Sequence, residues 1–249
     1  MSGHSKWHTI KHKKGAADAK RGKIFTRLIK ELTVAARNGG GDPSMNPRLR
    51  TIIAAAKEVN MPADNIKKAV QRGTGELPGV SYEEITYEGY GPGGSALLIE
   101  CLTDNKNRTV GEIRHTLEKH GGHLGSSNSV AWMFTKKGLV VVEKAKADEE
   151  KLLNTALDAG ADDMQDDGAT WEVLSDPSSF EAVRDAVKAL GIEPASAQVA
   201  MLPQNHVKLE GKEANQMIRL MEALDEHEDV KQVWSNFDIS EKEIEASLA

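Results

Sequence analysis

One cysteine, Cys101, is the only thiol in this chain of 249 residues, so it forms no internal disulfide and lacks the paired cysteines that zinc ribbons and CxxC redox sites need. Aromatic residues make up only 4% of it. No stretch approaches the roughly 18 to 20 consecutive apolar residues that cross a bilayer, which argues against a membrane partner. The first residues, MSGHSKWHTIKHKKG, are basic and polar with no apolar run behind them, unlike a secretory signal. Together these absences predict a reducing, cytoplasmic setting. What is present, 39% hydrophobic and 28% charged residues, is the composition of ordinary globular domains, and the length suffices for one large or two to three small ones.

Charge is distributed unevenly. Residues 1–80 hold 16 Lys+Arg against 6 Asp+Glu, a balance of +10, and the remainder holds 16 against 32, a balance of −16. One consequence is a part that seeks polyanions beside a part solubilised by its own charge. The other is that a basic third and an acidic remainder attract each other within the molecule.

Apolar spacing divides the chain. Ile24, Leu28 and Leu32 recur at i, i+4 and i+8 and predict a helix from Lys23 that ends at Asn38-Gly39-Gly40-Gly41. Asn46-Pro47 starts a second helix with Leu49, Ile52, Ile53 and Ala56 inward, because Asn46 can cap it and Pro47 needs no N–H at the first position. Pro62 opens a third, with Ile66 and Val70 inward and Gly73 as left-handed terminator. Near residue 80 the period falls to 2. Glu83 to Tyr87 and Ala96 to Leu102 form a hairpin. Thr109-x-x-Glu112 reads as a capping box for a helix with Val110, Ile113 and Leu117 on one face, and two separate strands follow at Ser129 to Phe134 and Leu139 to Glu143. From Leu139 the order is βαββαβ if a short strand precedes Asp166-Asp167-Gly168 as a hairpin turn, and that order is ferredoxin-like. The helix of Met217 and Met221 and the strand at Val230 to Trp234 then have no sheet of their own, and complete the earlier one. The predicted fold class is α+β: an N-terminal three-helix domain and two α+β domains, the last a ferredoxin-like insertion in the middle one. The expected limits are 1–80 for the basic arm and helical bundle, 81–137 plus 205–240 for the discontinuous domain, 138–204 for the insertion, and 241–249 for a tail.

Catalytic patterns are missing. A phosphate loop needs Gly-x4-Gly-Lys-Ser/Thr, whereas Gly15 and Gly22-Lys23 are separated by six residues and Ile24 stands in place of the hydroxyl. Gly89-x-Gly91-x-x-Gly94 matches the dinucleotide fingerprint but leads into a strand, with no helix N-terminus for a pyrophosphate. The acidic run from Asp162 to Gly168 resembles a calcium loop, yet the twelfth position from Asp163 is Leu174. His4, His8 and His12 share a helical spacing but lie among lysines that oppose a divalent cation. Cys101 on an apolar strand reads as a packed thiol. No catalytic residue, metal, cofactor or small-molecule substrate is therefore expected, and the oligomeric state is not legible.

Polyanion binding remains. Residues 1–37 carry ten cations, Lys6, Lys11, Lys13, Lys14, Lys20, Arg21, Lys23, Arg27, Lys30 and Arg37, against Asp18 and Glu31, with Trp7 and Phe25 interleaved. Such a segment neutralises phosphates and stacks a ring on a base. Arg48, Arg50, Lys67, Lys68 and Arg72 extend the surface across the bundle. Lysines of this kind supply phosphate contacts and little base readout.

Several motifs make the chain similar to a known family. GHSKW at 3–7, DAKRGKIFTRLIKEL at 18–32, GGGDPSMNPRLR at 39–50, NMPADNI at 60–66, YEGYGPGG at 87–94, LTDNKNRTVGEIRH at 102–115 and VAWMF at 130–134 resemble the YebC/PmpR family. Asn128 departs from the pattern, where relatives commonly carry Gly, but Asn also tolerates left-handed backbone. The resemblance implies a helical N-terminal domain and two α+β domains. It also implies a regulator of gene expression: some members are named transcriptional regulators and bind promoter DNA. Others, including the mitochondrial translational activator of cytochrome oxidase, act in translation, and bacterial relatives resemble factors that relieve ribosomes stalled on proline-rich stretches. The expected partner is thus DNA, or ribosomal RNA and the ribosome. Tyr90 in the Gly-rich loop and Lys106 and Arg108 in the Asn-rich loop join the expected contacts, unless those loops are only a tight turn and a polar helix entry.

Overall fold

The computed structural model describes residues 17–248, and side chains from residue 22 onward except at 241, 245, 246 and 248. Among the described residues three helices come first: α1 (Ala17–Gly39), α2 (Pro47–Glu58) and α3 (Ala63–Thr74). Leu28, Leu32 and Ala36 of α1 meet Leu49, Ile52 and Ala56 of α2 and Ile66 and Ala69 of α3 in one core. Leu32 and Leu49 are fully buried, and each such leucine contributes about 1.5–3 kcal/mol relative to exposure. Asn46 does cap α2, accepting from the Leu49 amide at 3.0 Å. Its amide nitrogen also donates to the Ala35 and Gly40 carbonyls, which welds the start of α2 to the end of α1.

Gly73 is not the terminator of α3. The left-handed residue is Gly75, at φ 83°, and Gly73 lies inside the helix. A Cβ at Gly73 would overlap the Thr33 carbonyl oxygen and lie 2.7 Å from the Ala36 Cβ, so its absence is what lets α3 press against α1.

The middle domain begins with β1 (Glu83–Tyr90) and β2 (Ala96–Thr103), an antiparallel hairpin in the register Glu83↔Thr103 to Tyr90↔Ala96. Its turn holds Gly93 and Gly94 at positive φ. Next come α4 (Lys106–Lys119) and the two-residue β3 (His123–Leu124). The capping-box reading of Thr109 is corrected: Asn105 is the cap, accepting from the Arg108 amide, and Thr109 is buried within the helix.

The strands predicted at Ser129–Phe134 and Leu139–Glu143 are also revised. Ala131–Met133 is a single 3-10 turn, and one continuous β4 (Phe134–Glu143) follows. Lys136-Lys137-Gly138 does not interrupt it, because these residues pair with Met201, Ala200 and Val199 of a neighbouring strand. Then come α5 (Glu149–Asp158), β5 (Ala161–Asp167), β6 (Thr170–Ser175), α6 (Phe180–Ala189) and β7 (Ser196–Pro203). Their antiparallel sheet has the order β5-β6-β4-β7, the ferredoxin-like arrangement.

The chain then returns to the first sheet through β8 (Val207–Lys208), α7 (Gly211–Glu226), β9 (Val230–Ser235), β10 (Phe237–Asp238) and α8 (Glu241–Leu248). Strand β9 pairs with β2, giving the sheet order β3-β1-β2-β9. The ferredoxin-like unit is thus inserted in the middle domain. Strand β2 is apolar at nearly every position because both faces are covered. Leu97, Ile99 and Cys101 face α4 and α7, while Ala96 and Leu98 face Phe134, Leu139 and Val141 of β4. Among the described residues no helix is long and apolar enough to cross a membrane.

Candidate nucleic-acid interface

Many of the cations expected to meet phosphate are engaged at the junction between the helical and middle domains. Asp229, just before β9, is the centre. Its carboxylate accepts from the Lys30 ammonium at 2.8 Å, the Arg108 guanidinium at 2.7 Å and the Thr109 hydroxyl at 2.8 Å, with Thr103 at 3.2 Å. Burial alone would raise the pKa of Asp229, but the bonds from Lys30, Arg108 and Thr109 outweigh it and hold the carboxyl well below the usual carboxylate range. Lys30 is buried and also donates to the Glu228 carbonyl at 3.0 Å. A buried ammonium bound in this way is not presented to a phosphate, so Lys30 leaves the expected contact set. Arg108 is half-exposed yet bonded to both Asp229 and Asp104, which raises its pKa further.

The same junction takes up others. Arg48 and Glu84 form an ion pair that holds the Glu84 carboxyl below its ordinary pKa, while Lys106 pairs with Glu83 inside the middle domain itself. Arg27 donates to the Lys231 carbonyl at 3.3 Å, and Lys23 to the Glu226 carbonyl at 3.2 Å. Mutual attraction between the basic third and the acidic remainder therefore accounts for part of the charge pattern. Sequence reasoning did not single out Asp229, because an acid in an acidic segment carries no local signal of its partners.

Other cations remain available. Arg50 is exposed and touches only the Pro43 and Ser44 carbonyls among described residues. Lys57 on α2 and Lys67, Lys68 and Arg72 on α3 are exposed and in no ion pair among the described residues. Lys6, Trp7, Lys11, Lys13 and Lys14 lie outside the described residues, as do the side chains of Lys20 and Arg21.

Tyr90 is only partly exposed. Its hydroxyl donates to the Ser129 carbonyl at 3.3 Å, and its ring stacks on His123 with centroids 5.1 Å apart. Trp132, which the strand reading had hidden, is 64% exposed and donates its indole N–H to that same carbonyl at 3.1 Å. The loop carrying it is fixed by Glu88, whose carboxylate accepts the amides of Asn128, Val130 and Ala131. Burial pushes the Glu88 pKa up, but these amide bonds prevail and lower it. Asn128 adopts φ 64°, the left-handed geometry that glycine would supply.

Nothing in the described residues assembles a nucleophile and base. Burial pushes the Cys101 thiol up to about 12, so it is not a thiolate at neutral pH. Glu112, His227 and Asp229 have ligand-like spacing, but the Asp229 oxygens already bind an ammonium and a guanidinium, which oppose a metal cation. An open cleft of about 1200 Å³ lies between α2, the β1–β2 hairpin and the α6–β7 edge. Arg48, Arg50, Arg184 and Lys188 alternate there with Glu58, Glu84, Glu181 and Glu193, and Thr51 reaches across it to Glu181 at 3.2 Å. Such a mixed, open surface lacks the apolar enclosure of a small-molecule site.

These elements define a three-domain α+β protein: a helical unit clamped to a split domain that carries a ferredoxin-like insertion. Residues 5–76 match the description "TACO1/YebC protein N-terminal domain", and residues 82–237 match "TACO1/YebC second and third domain". The chain belongs to the TACO1/YebC family. It is 62% identical to a protein of Koribacter versatilis over 98% of both chains, and 59% identical to one of Geobacter sulfurreducens over 98% of this chain and 99% of that one. Both relatives are named probable transcriptional regulatory proteins. The crystal structure of a conserved hypothetical protein from Aquifex aeolicus superposes with a TM-score of 0.81 at 44% identity, covering 93% of this chain and 96% of that one.

Proposed function

We propose that this protein is a non-enzymatic regulator of gene expression that binds nucleic acid through the basic arm and helical domain, residues 1–80, while the acidic portion, residues 138–249, faces away from the phosphates. The observation that carries the reading is the division among the cations. Those facing the middle domain are bonded to its acids and carbonyls, whereas Lys57, Lys67, Lys68 and Arg72 are exposed without a counter-ion among the described residues. The relatives' names support a DNA template. The exposed cations are mostly lysines spread over two helices, which supplies phosphate contacts more than base readout, and this favours a second reading in which the target is ribosomal RNA on the ribosome.

Charge reversal of Lys11, Lys13 and Lys14, or of Lys67 and Lys68, weakens binding and flattens its salt dependence by about 0.7 to 0.9 in log–log slope per lost phosphate contact. Unchanged binding and slope in both variants overturn the reading. Promoter-fragment binding alongside ribosome sedimentation, both near physiological salt, separates the two targets. Sequence-selective DNA binding without ribosome association supports the first, and the opposite pattern supports the second.

A further inference from the structure

We propose that Trp132 and His123, positioned by Tyr90 and the Ser129 carbonyl, form a stacking platform for unpaired nucleobases at the β3 edge of the middle domain. This rests on the nucleic-acid reading above and adds a site outside the helical domain.

Three observations converge on that edge. The first is the exposure of Trp132, 64% against 9% for Trp171 and 5% for Trp234. Its only polar atom is satisfied internally, so what the ring offers outward is its π surface and not a hydrogen bond. The second is its neighbourhood. The Tyr90 hydroxyl and the Trp132 indole N–H converge on one carbonyl, which has two lone pairs to accept both. His123, exposed, lies against the Tyr90 ring at an interplanar angle of 24°. Two exposed rings are thereby gathered around one partly buried phenol.

The third observation is that the platform is held in place before any ligand arrives. Glu88 binds three amides of the loop, its own carbonyl accepts the Gly125 amide at 2.8 Å, and Gln204 donates to the Trp132 carbonyl at 3.4 Å. A ring fixed by its surroundings loses little freedom on stacking, which is the general route to affinity without added contact area.

Charge selects the occupant. Lys119 and Arg219 are exposed, in no ion pair among the described residues, and close enough to depress the pKa of His120, after burial, just three positions before His123. Exposed rings with unpaired cations at the adjoining end of α4 suit a strand that offers both π faces and phosphates. A duplex, whose bases are already stacked on each other, cannot use the rings.

The test compares a short oligouridylate with a duplex of the same length. Trp132→Ala is expected to weaken the single strand at least about fivefold, the low end for loss of one stacked base, while leaving the salt slope and the duplex affinity unchanged. Trp132→Phe keeps most of the affinity but loses a share of the protein's fluorescence quenching on binding. Tyr90→Phe, which removes one of the two donors to the Ser129 carbonyl, gives an intermediate loss. Circular dichroism and melting of each variant show that the fold is retained. Unchanged single-strand affinity in folded Trp132→Ala overturns the platform. If charge reversal of Lys67 and Lys68 still weakens binding in that case, the platform alone falls. If the intact protein binds neither probe, both readings fall. Equal losses for strand and duplex also overturn it, as does a Trp132→Ala defect confined to association with a protein.

Discussion

Lys30 and Asp229 form a buried ion pair, Nζ to Oδ1 at 2.8 Å, that joins α1 to the residue just before β9, the last full strand of the middle sheet. Both partners have further bonds, Lys30 to the Glu228 carbonyl and Asp229 to Arg108 and Thr109, so the desolvated charges are compensated on all sides. This pair fixes how the basic helical domain sits on the rest of the molecule. It also explains why a cation that looked like a phosphate ligand is unavailable to one.

Removing one partner leaves the other charged and buried. Asp229→Ala is expected to cost about 3–5 kcal/mol of stability, measured by urea unfolding, because the Lys30 ammonium loses its counter-ion. Lys30→Ala costs less, because Asp229 keeps its bonds from Arg108 and Thr109, and the double variant costs less than the two losses added together. Additive losses would show that the two side chains are not coupled.

The pH dependence has a definite sign. Asp229 has a lowered pKa in the folded state, so the unfolded chain takes up its proton first as acid is added. Its contribution is fully present above the unfolded carboxylate value, about 3.9, and is lost as pH falls through the depressed native value. The stability gap between the parent protein and Asp229→Asn is therefore expected to stay constant from neutral pH down to about 5 and to narrow below about 4. A gap that widens with acid would contradict the assignment.

Gly73→Ala tests the close approach of α1 and α3. Alanine is the better helix former by about 1 kcal/mol, yet the added methyl meets the Thr33 carbonyl and Ala36. Overpacking of about 1–3 kcal/mol is expected to prevail, giving a lower melting temperature. A higher one would show that the contact relaxes freely.

Glu88→Ala separates position from charge. Removing an acid would by itself favour a polyanion, but here it deprives the Asn128, Val130 and Ala131 amides of their acceptor. Faster hydrogen exchange at those amides is expected, together with weaker single-strand binding that parallels Trp132→Ala. Stronger binding would mean that Glu88 acts only through its charge.

The helical domain was largely legible because its apolar residues repeat at helical spacing and Asn46-Pro47 carries its own cap. The insertion was legible in order, since each of its helices is followed by a glycine and three of its strands carry apolar runs, whereas β5, with four aspartates, could only be inferred from the hairpin turn after it. Thr109 misled because a hydroxyl three positions before Glu112 matches a capping box, whereas Asn105 is the residue that reaches the first free amides. Lys136-Lys137-Gly138 separated two predicted strands because charge and glycine usually break a strand. Here hydrogen bonding to β7 carries the strand through them. Trp132 escaped notice because the acceptor that organises its loop, Glu88, lies some forty positions earlier in the chain.

The sequence by itself determined where the helices and most strands run, the change of period near residue 80 and the existence of a basic front and an acidic rear, since each of these depends on near neighbours or on simple counting. Only the tertiary structure decided which cations are neutralised and which face solvent. A charge finds its partner through space, and Lys30 meets Asp229 across 199 positions because two separately folded units dock with that pair between them.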